Sequence, residues 1–583
     1  MALSQKWDLA KIFSEGTSSS PEFLAFLQKI VEQMATLEKQ CREQGDLTNI
    51  ILDYQRLLQN FREAESYVVC LAAQDISDEK ALAWQNKIAS LSSRLQAAFI
   101  SLEQRLLSIS DMDFSRLLKT SELNPIAFPL EEIREFAKEK QGPVEEGLIS
   151  DLSVDGYHGW SALYDLVVGE MKFPFQGKEL SFGQIENKVS DADRTVRKDS
   201  FSAIHREFHK KKIIFAEILN HIGGFRLEVY KHRSWTSYLK EPLQENRMFL
   251  GTLEAMWQVV EKGKAPLLDY LKRKAALLNV EKLAWHDLEA PLSQHQLHFS
   301  YDEAAAFIVN HFKNFSPKMA AFAEKALHNH WIEAEDREGK KPGGFCIDFP
   351  ISRESRIFMT FSGTFVNVST LAHELGHAFH SEVIHGLPEL AAHYRMNLAE
   401  TASTMAEMIV IDAAIKAAKS DKEKAALLDD KISRAVAFLM NLHARFLFEC
   451  SFYEARQNNY VSAEELNDLM EKAQKKAYKD SLSSYHPLFW AAKLHFYFTD
   501  VPFYNFPYTF GYLFSLSLYE LAKKDQHFEE KYISLLQDSG RMTTEQLAEK
   551  HLHADLGKPD FWQKALDLIH QDIQQFLRIT ERL

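Results

Sequence analysis

"TLAHELGHAFH", residues 370–380, sets two histidines four residues apart with a glutamate directly after the first. In an α-helix residues four apart share one face, so His373 and His377 can each turn an imidazole nitrogen toward a single metal ion. Glu374 stands about 100° round the helix from His373, beside such an ion rather than on it. That is where a base acting on metal-activated water belongs. In a chain of 583 residues with 23 histidines the bare pattern HExxH arises by chance on the order of one time in twenty, so a third ligand has to be found.

Catalytic zinc commonly takes three protein ligands and keeps one position open. The longer pattern HExxHxxGxxH is excluded, because His380 holds its glycine position and Val383 its last histidine position. A carboxylate on a following helix remains. Of Glu382, Glu389, Glu400 and Glu407, only the last two lie in a sustained helical pattern, "NLAETASTMAEMIVIDAAIKAA". Glu382 is on the motif helix itself, and Glu389 follows Pro388 in an expected loop. Small neighbours, Ala399, Thr401, Ala402 and Ser403, would let the helix of Glu400 come close to the histidines. Glu407 returns to nearly the same face two turns later and suits the role of accepting the second ring N–H of a ligand histidine, with a plain structural ion pair as its other reading.

Outward from the motif, "GGFCIDFPISRESRIFMTFSGTF" (343–365) is rich in Phe, Ile and Thr and reads as two short strands joined by a turn. Almost everything else reads as helix. Ser20 suits an N-cap and Pro21 a first helical position, with Phe23, Phe26, Leu27, Ile30, Met34 and Leu37 on one face. Similar periods run to about residue 108, and the rhythm breaks at 138–160 and again at 173–184. These breaks suggest an N-terminal helical domain over 1–110, a connecting helical subdomain over 111–184 and a third domain over 185–583 that carries the motif. The run His209-Lys210-Lys211-Lys212 reads as a solvated helix face.

Composition excludes several classes. With 68 Lys and Arg against 82 Asp and Glu, the net charge of −14 speaks against a nucleic-acid or anionic-membrane surface. Cys41, Cys70, Cys346 and Cys450 lie far apart without a CxxC pair, so buried free thiols are expected rather than disulfides or a cysteine zinc site. Charged residues interrupt "MALSQKWDLAKIFSEG", and no run of about 18 apolar residues occurs. A cytoplasmic protein with no membrane partner is expected.

HELGH followed by "AETAST", with the glutamate 23 residues after the second histidine, resembles the oligoendopeptidase F branch of the thimet-oligopeptidase-like zinc metallopeptidases. The likeness extends to "KWDLAKIF", "SDADRTVRKDSF" and "VEKLAWHDLEAPL". It implies a mainly α zincin-type fold with a small sheet beside the motif helix and a deep channel that admits unfolded peptides. It implies one zinc ion on His373, His377 and Glu400, Glu374 as general base, and short peptides as substrates.

A further likeness lies in "KLHFYFTDVPFYNFPYTFGYLF" (493–514), where Tyr504, Tyr508 and Tyr512 recur every four residues. By resemblance His495 and Tyr508 meet the oxyanion or the substrate backbone, with Tyr504 nearby; the four-residue period adds Tyr512 as an expected substrate contact. Phe506 stands where relatives carry another tyrosine, which leaves the division of labour among these hydroxyls open. Substrate binding is also expected at Gly343, Gly344 and Phe345, where an open strand edge can pair with an extended peptide.

Two other readings compete with an oligoendopeptidase. A zinc carboxypeptidase on a related scaffold needs a cation near the metal for the terminal carboxylate, and Arg395 is the nearest in sequence. A non-catalytic peptide-binding protein with structural zinc would have no use for Glu374.

Overall fold

The computed structural model describes residues 3–43, 45–292, 298–525 and 527–582. Its fold is mainly α, with two small sheets. Helix α1 (Pro21–Arg42) starts where Ser20 accepts a hydrogen bond from the Phe23 amide. Its Phe23, Leu27, Ile30, Met34 and Leu37 are buried against α2 (Leu47–Gln74) and α3 (Glu79–Ser108). Each such side chain contributes roughly 1.5–3 kcal/mol over an exposed position, so this one face fixes the helix. The same apolar core takes in Phe114, Leu118, Leu123, Ile126 and Leu130. Arg134 ties that stretch back to α3, donating to the carbonyls of Leu106 (3.0 Å) and Ile109 (2.8 Å). The stretch from Phe114 to Arg134 therefore packs with the N-terminal helices, while Tyr157, Tyr164, Met171 and Phe173 join the core formed by the rest of the chain.

The break at 173–184 is a hairpin, β1 (Phe173–Phe175) against β2 (Lys178–Leu180). Gln176 and Gly177 both take left-handed backbone, φ 48° and 77°, as a two-residue hairpin turn of the primed type requires. Three-residue strands are too short to show an alternation, so only the turn was legible. The long helix α4 (Arg194–His232) comes next, and its Lys210 and Lys212 pair with Glu207 (2.6 Å) and Glu464 (2.7 Å) as a solvated face would.

Two strands of the second sheet match the expected pair, and a two-residue strand, too short to read from sequence, is added. β3 (Ile332–Glu333) runs parallel to β5 (Glu354–Phe358), which pairs antiparallel with β4 (Phe345–Phe349) in the order β3-β5-β4. Successive side chains point to opposite faces: Phe349 and Phe358 enter the N-terminal core, whereas Ile332 and Ile357 enter the larger core formed by the rest of the chain. The sheet is thus a shared wall, with β4 at its edge.

The motif helix, α5 (Phe365–Ile384), begins at a capping box between Thr364 and Asn367. It ends at His385, whose Nε2 lies 2.8 Å from Asp348 Oδ1 on β4. Helix α6 (Met396–Ala417) lies against α5 on one side and, on the other, against α9 (Phe506–Ala522); α7 (Asp421–Val436) and α8 (Leu442–Arg456) come between in sequence. Two glycines set the spacing. A Cβ on Gly376 would lie 2.5 Å from the Ala402 carbonyl, and one on Gly511 would lie 3.3 Å from Glu400 Cβ. All four cysteines are free, but only Cys70 is fully buried; the other three are half-buried.

Candidate active site

The close approach at Gly376 brings α6 over the histidines. His373 Nε2 and His377 Nε2 are 3.1 Å apart, and Glu400 Oε2 is 3.5 Å from each. A tetrahedral zinc ion with ligands at 2.0–2.1 Å separates them by roughly 3.3 Å, so the three atoms fit the edges of one coordination site. No other cluster of three or more such groups occurs among the described residues.

The support around these atoms is directional. His373 Nδ1 lies 2.7 Å from Glu407 Oε1, so in the neutral ring, the form that binds a metal, the proton belongs on Nδ1 and the Nε2 lone pair faces the site. Arg434 holds the other oxygen of Glu407 and donates to Ser369 Oγ at 3.2 Å. Ser403 donates to Glu400 Oε2 at 2.7 Å. Burial opposes a charge on His373, but the Glu407 hydrogen bond and the surrounding carboxylates outweigh it and raise its pKa; burial and the facing His373 keep His377 neutral.

Glu374 is not in the triad. It is 6% exposed, and burial pushes its carboxyl up to about 7, reinforced by Glu400 and Glu407 against the pull of His373. A group in that range can take and return a proton near neutral pH. Gly344 lies beside it: a Cβ there would be 3.6 Å from Glu374 Oε1. The start of the β4 edge and the candidate base are therefore neighbours. Gly343 has φ 101°, a conformation that favours glycine. Phe345 stacks on Phe358 at 5.2 Å, so only its backbone faces the open edge.

On the other side of α6, His495 stacks on Tyr504 with ring centroids 5.1 Å apart, and Tyr508 lies 5.0 Å from Tyr504 and 6.3 Å from His495. Burial, with the charges of Arg445 and Lys493, holds His495 down to about 3, so it is a neutral imidazole. Burial raises the Tyr508 hydroxyl, keeping it protonated as a donor. A cavity of about 480 Å³ opens nearby, running from Phe365 and Val366 at the start of α5 to Arg445 and Lys493.

The model for peptidase family M3 matches residues 188–568, and the model for oligopeptidase F matches residues 105–173. The chain belongs to peptidase family M3. It is 25% identical over 551 residues to the group B oligopeptidase PepB of Streptococcus agalactiae, covering 91% of this chain and 90% of that one. Its fold matches a crystal structure from Chlamydophila abortus with a TM-score of 0.83, 20% identity and 99% of both chains covered. It also matches oligoendopeptidase-F from Enterococcus faecium, with a TM-score of 0.71, 18% identity, and 96% of this chain and 99% of that one covered. As a member of family M3 the chain is a peptidase, a hydrolase that acts on peptides. No helix among the described residues is long and apolar enough to cross a membrane.

Within this M3 fold several expected site residues fall elsewhere. Tyr512 is 3% exposed and stacks on Phe438 at 4.5 Å. Because α9 starts at Phe506, Tyr504 precedes the helix and Tyr512, one turn beyond Tyr508, points into the core, so it offers a substrate no surface. Arg395 is engaged by Glu132, 2.9 Å away, and by Glu245, 3.7 Å away, which takes this residue out of the role the carboxypeptidase reading gave it. Glu389 opens a short helix (Glu389–Ala392) and pairs with Arg62, and Glu382 pairs with Lys325 at 3.0 Å.

Three supporting residues were not found from the sequence. Arg434 and Ser403 hold carboxylates across a helix interface that spacing cannot reveal. Glu449 is buried on α8, where its oxygens accept from the Phe503 amide (3.3 Å) and from Asn505 Nδ2 (2.6 Å). It thereby fixes the turn that carries Tyr504, in which Phe503 adopts a left-handed φ of 54°. An acid inside the apolar stretch "FLFECSFYEA" was the available hint.

Proposed function

We propose that this M3 peptidase is a zinc-dependent oligoendopeptidase that hydrolyses internal bonds of short, unfolded peptides. The observation that carries the reading is the meeting of His373, His377 and Glu400 at 3.1–3.5 Å with Glu374 alongside. Zinc held by those three residues would supply a Lewis acid for the scissile carbonyl and for water. The β4 edge at Gly343, Gly344 and Phe345 pairs with the backbone of an extended peptide, which gives affinity with little demand on side chains. Glu374 takes a proton from the attacking water and delivers it to the leaving amine. Tyr508 or the neutral His495 donates to the oxyanion that develops, a contact typically worth about 3–4 kcal/mol of barrier; Tyr504 orders both rings. Glu407, anchored by Arg434, keeps His373 in the tautomer a ligand needs.

Residues 185–583 form the catalytic part in this reading, supported by the M3 match over 188–568. The free cysteines support a reducing, cytoplasmic setting. The test is mass spectrometry of a mixed peptide digest made with the zinc-loaded protein. Internal cuts in short peptides, with folded proteins spared and chelation abolishing cleavage, are expected. Stepwise loss of single C-terminal residues would replace this reading with a carboxypeptidase, and zinc binding without any cleavage would reduce the chain to a peptide-binding protein.

A further inference from the structure

Two cations face the 480 Å³ cavity without a partner: among the described residues, neither Arg445 nor Lys493 has a carboxylate oxygen within 4.0 Å. Arg445 is held in place all the same. Between α7 and α8 the chain makes one π-helical turn, Ala437–Asn441, whose wider winding rotates α8 relative to an unbroken α-helix. At its end Asn441 Oδ1 accepts from Arg445 Nε at 2.8 Å, and the guanidinium lies 5.3 Å from the Phe489 ring centroid. The Nη edge of Arg445, the part that suits bidentate recognition of a carboxylate, is left for a ligand. Burial pushes Arg445 down to about 10, a cost that an arriving anion would relieve.

Lys493 belongs to the same group. It lies two residues before His495, and its charge and that of Arg445 both bear on the His495 ring. Five acids also line the cavity: Asp429 pairs with Lys274 at 3.2 Å and Asp430 lies 3.9 Å from Arg434, whereas Glu186, Glu289 and Glu423 have no cation within 4.0 Å among the described residues. Their presence makes the cavity mixed in sign, which suits one carboxylate and disfavours a polyanion.

We infer that Arg445 and Lys493 form a subsite for a single carboxylate, and that its ligand is the free C-terminus of the bound oligopeptide. The inference rests on the peptidase reading of the adjoining site. Every short peptide brings one such carboxylate. The charges of Arg445 and Lys493 reach His495 and that of Arg445 reaches Tyr508, so the anchor adjoins the residues assigned to the bond to be cut and the enzyme measures its cut from the C-terminal end. Arg395, which sequence position suggested for this task, is replaced by a pair reached only through the fold.

The experiment compares matched peptides that end in a free acid or an amide and carry Glu or Gln at an interior position. It measures kcat/KM with the zinc-loaded wild type and binding by fluorescence anisotropy with Glu374→Gln. Wild type is expected to prefer the acid over the amide by tenfold or more, and Glu374→Gln to bind it correspondingly tighter. The preference should collapse toward unity in both Lys493→Met and Arg445→Met. A preference that tracks interior Glu and ignores the amide would keep the carboxylate subsite and assign it to a side chain. Equal rates and affinities for all four peptides in wild type would overturn the subsite while leaving the peptidase reading intact. No cleavage of any peptide, with the acid still bound more tightly, would sink the peptidase reading and not the subsite.

Discussion

The metal triad and the aromatic segment flank the same helix, α6, yet they are built by different means. His373, His377, Glu400 and Glu407 sit on two regular helices whose separation is set by Gly376, so their positions come from helical periodicity and one close contact. His495, Tyr504 and Tyr508 sit on a short 3₁₀ turn, a left-handed bend and the first turn of α9. That bend keeps its shape through buried polar contacts from remote segments: Glu449 at Phe503 and Asn505, Arg226 at the Phe498 carbonyl (2.8 Å), and the Tyr157 hydroxyl at the Thr499 carbonyl (3.0 Å). Regular backbone positions ligands with few helpers. Irregular backbone needs several, and some of those helpers lie hundreds of residues away.

The comparison can be broken most directly at the base. Glu374→Gln is expected to retain zinc and lose turnover by about three orders of magnitude or more, with metal analysis and steady-state kinetics run on the same sample. Activity within tenfold of wild type would remove Glu374 from the chemistry.

Next in size is the contrast between the two glutamates of α6. Glu400→Ala should lose the metal, because two histidines lack the third ligand of a stable catalytic site. Glu407→Ala should weaken metal affinity or activity about 10- to 100-fold through His373 alone. A reversed ranking by metal titration would exchange their roles.

The aromatic segment answers to a smaller change. Tyr508→Phe is expected to lower kcat by roughly 100-fold with little change in KM, since the contact belongs to the transition state. Tyr512→Phe, in the core, should leave kcat within about twofold and show itself, if at all, as a shift of about 1 kcal/mol in stability. Equal kinetic effects in the two variants would mean that the burial of Tyr512 does not describe the working enzyme.

Legibility in the sequence divides along the same line. The HExxH spacing, the small residues around Glu400, the Ser20 cap and the Phe/Ile-rich strand pair are local patterns, and each recurs in the structure. Tyr512 misled because a four-residue period was extended through Tyr504, where the chain is not yet helical. Arg395 misled because nearness in sequence stood in for nearness in space. Arg434, Glu449 and Arg445 act across interfaces between segments, and one sequence carries no pattern for such contacts. The strands β1 to β3 were missed, or seen only as a turn, because two or three residues cannot display a period of two.

The contact between His385 and Asp348 joins the end of the motif helix to the strand that borders the candidate base, and it makes the stability of the site depend on protons. Burial disfavours the imidazolium, but hydrogen bonds to Asp348 and Glu382 prevail and raise His385 from 6.5 to about 9. A group raised on folding stabilises the native state fully below its unfolded pKa, and that contribution is lost as the pH climbs through the folded one. The window here runs from about 6.5 to about 9, for a difference on the order of 3 kcal/mol. Melting temperatures at pH 6 and pH 9.5 are expected to fall more for wild type than for His385→Gln. Identical falls would show that helix and strand stay joined without the charge. Where the fall is the larger in wild type, alkali loosens the helix from the strand before it disturbs the far larger apolar cores on either side.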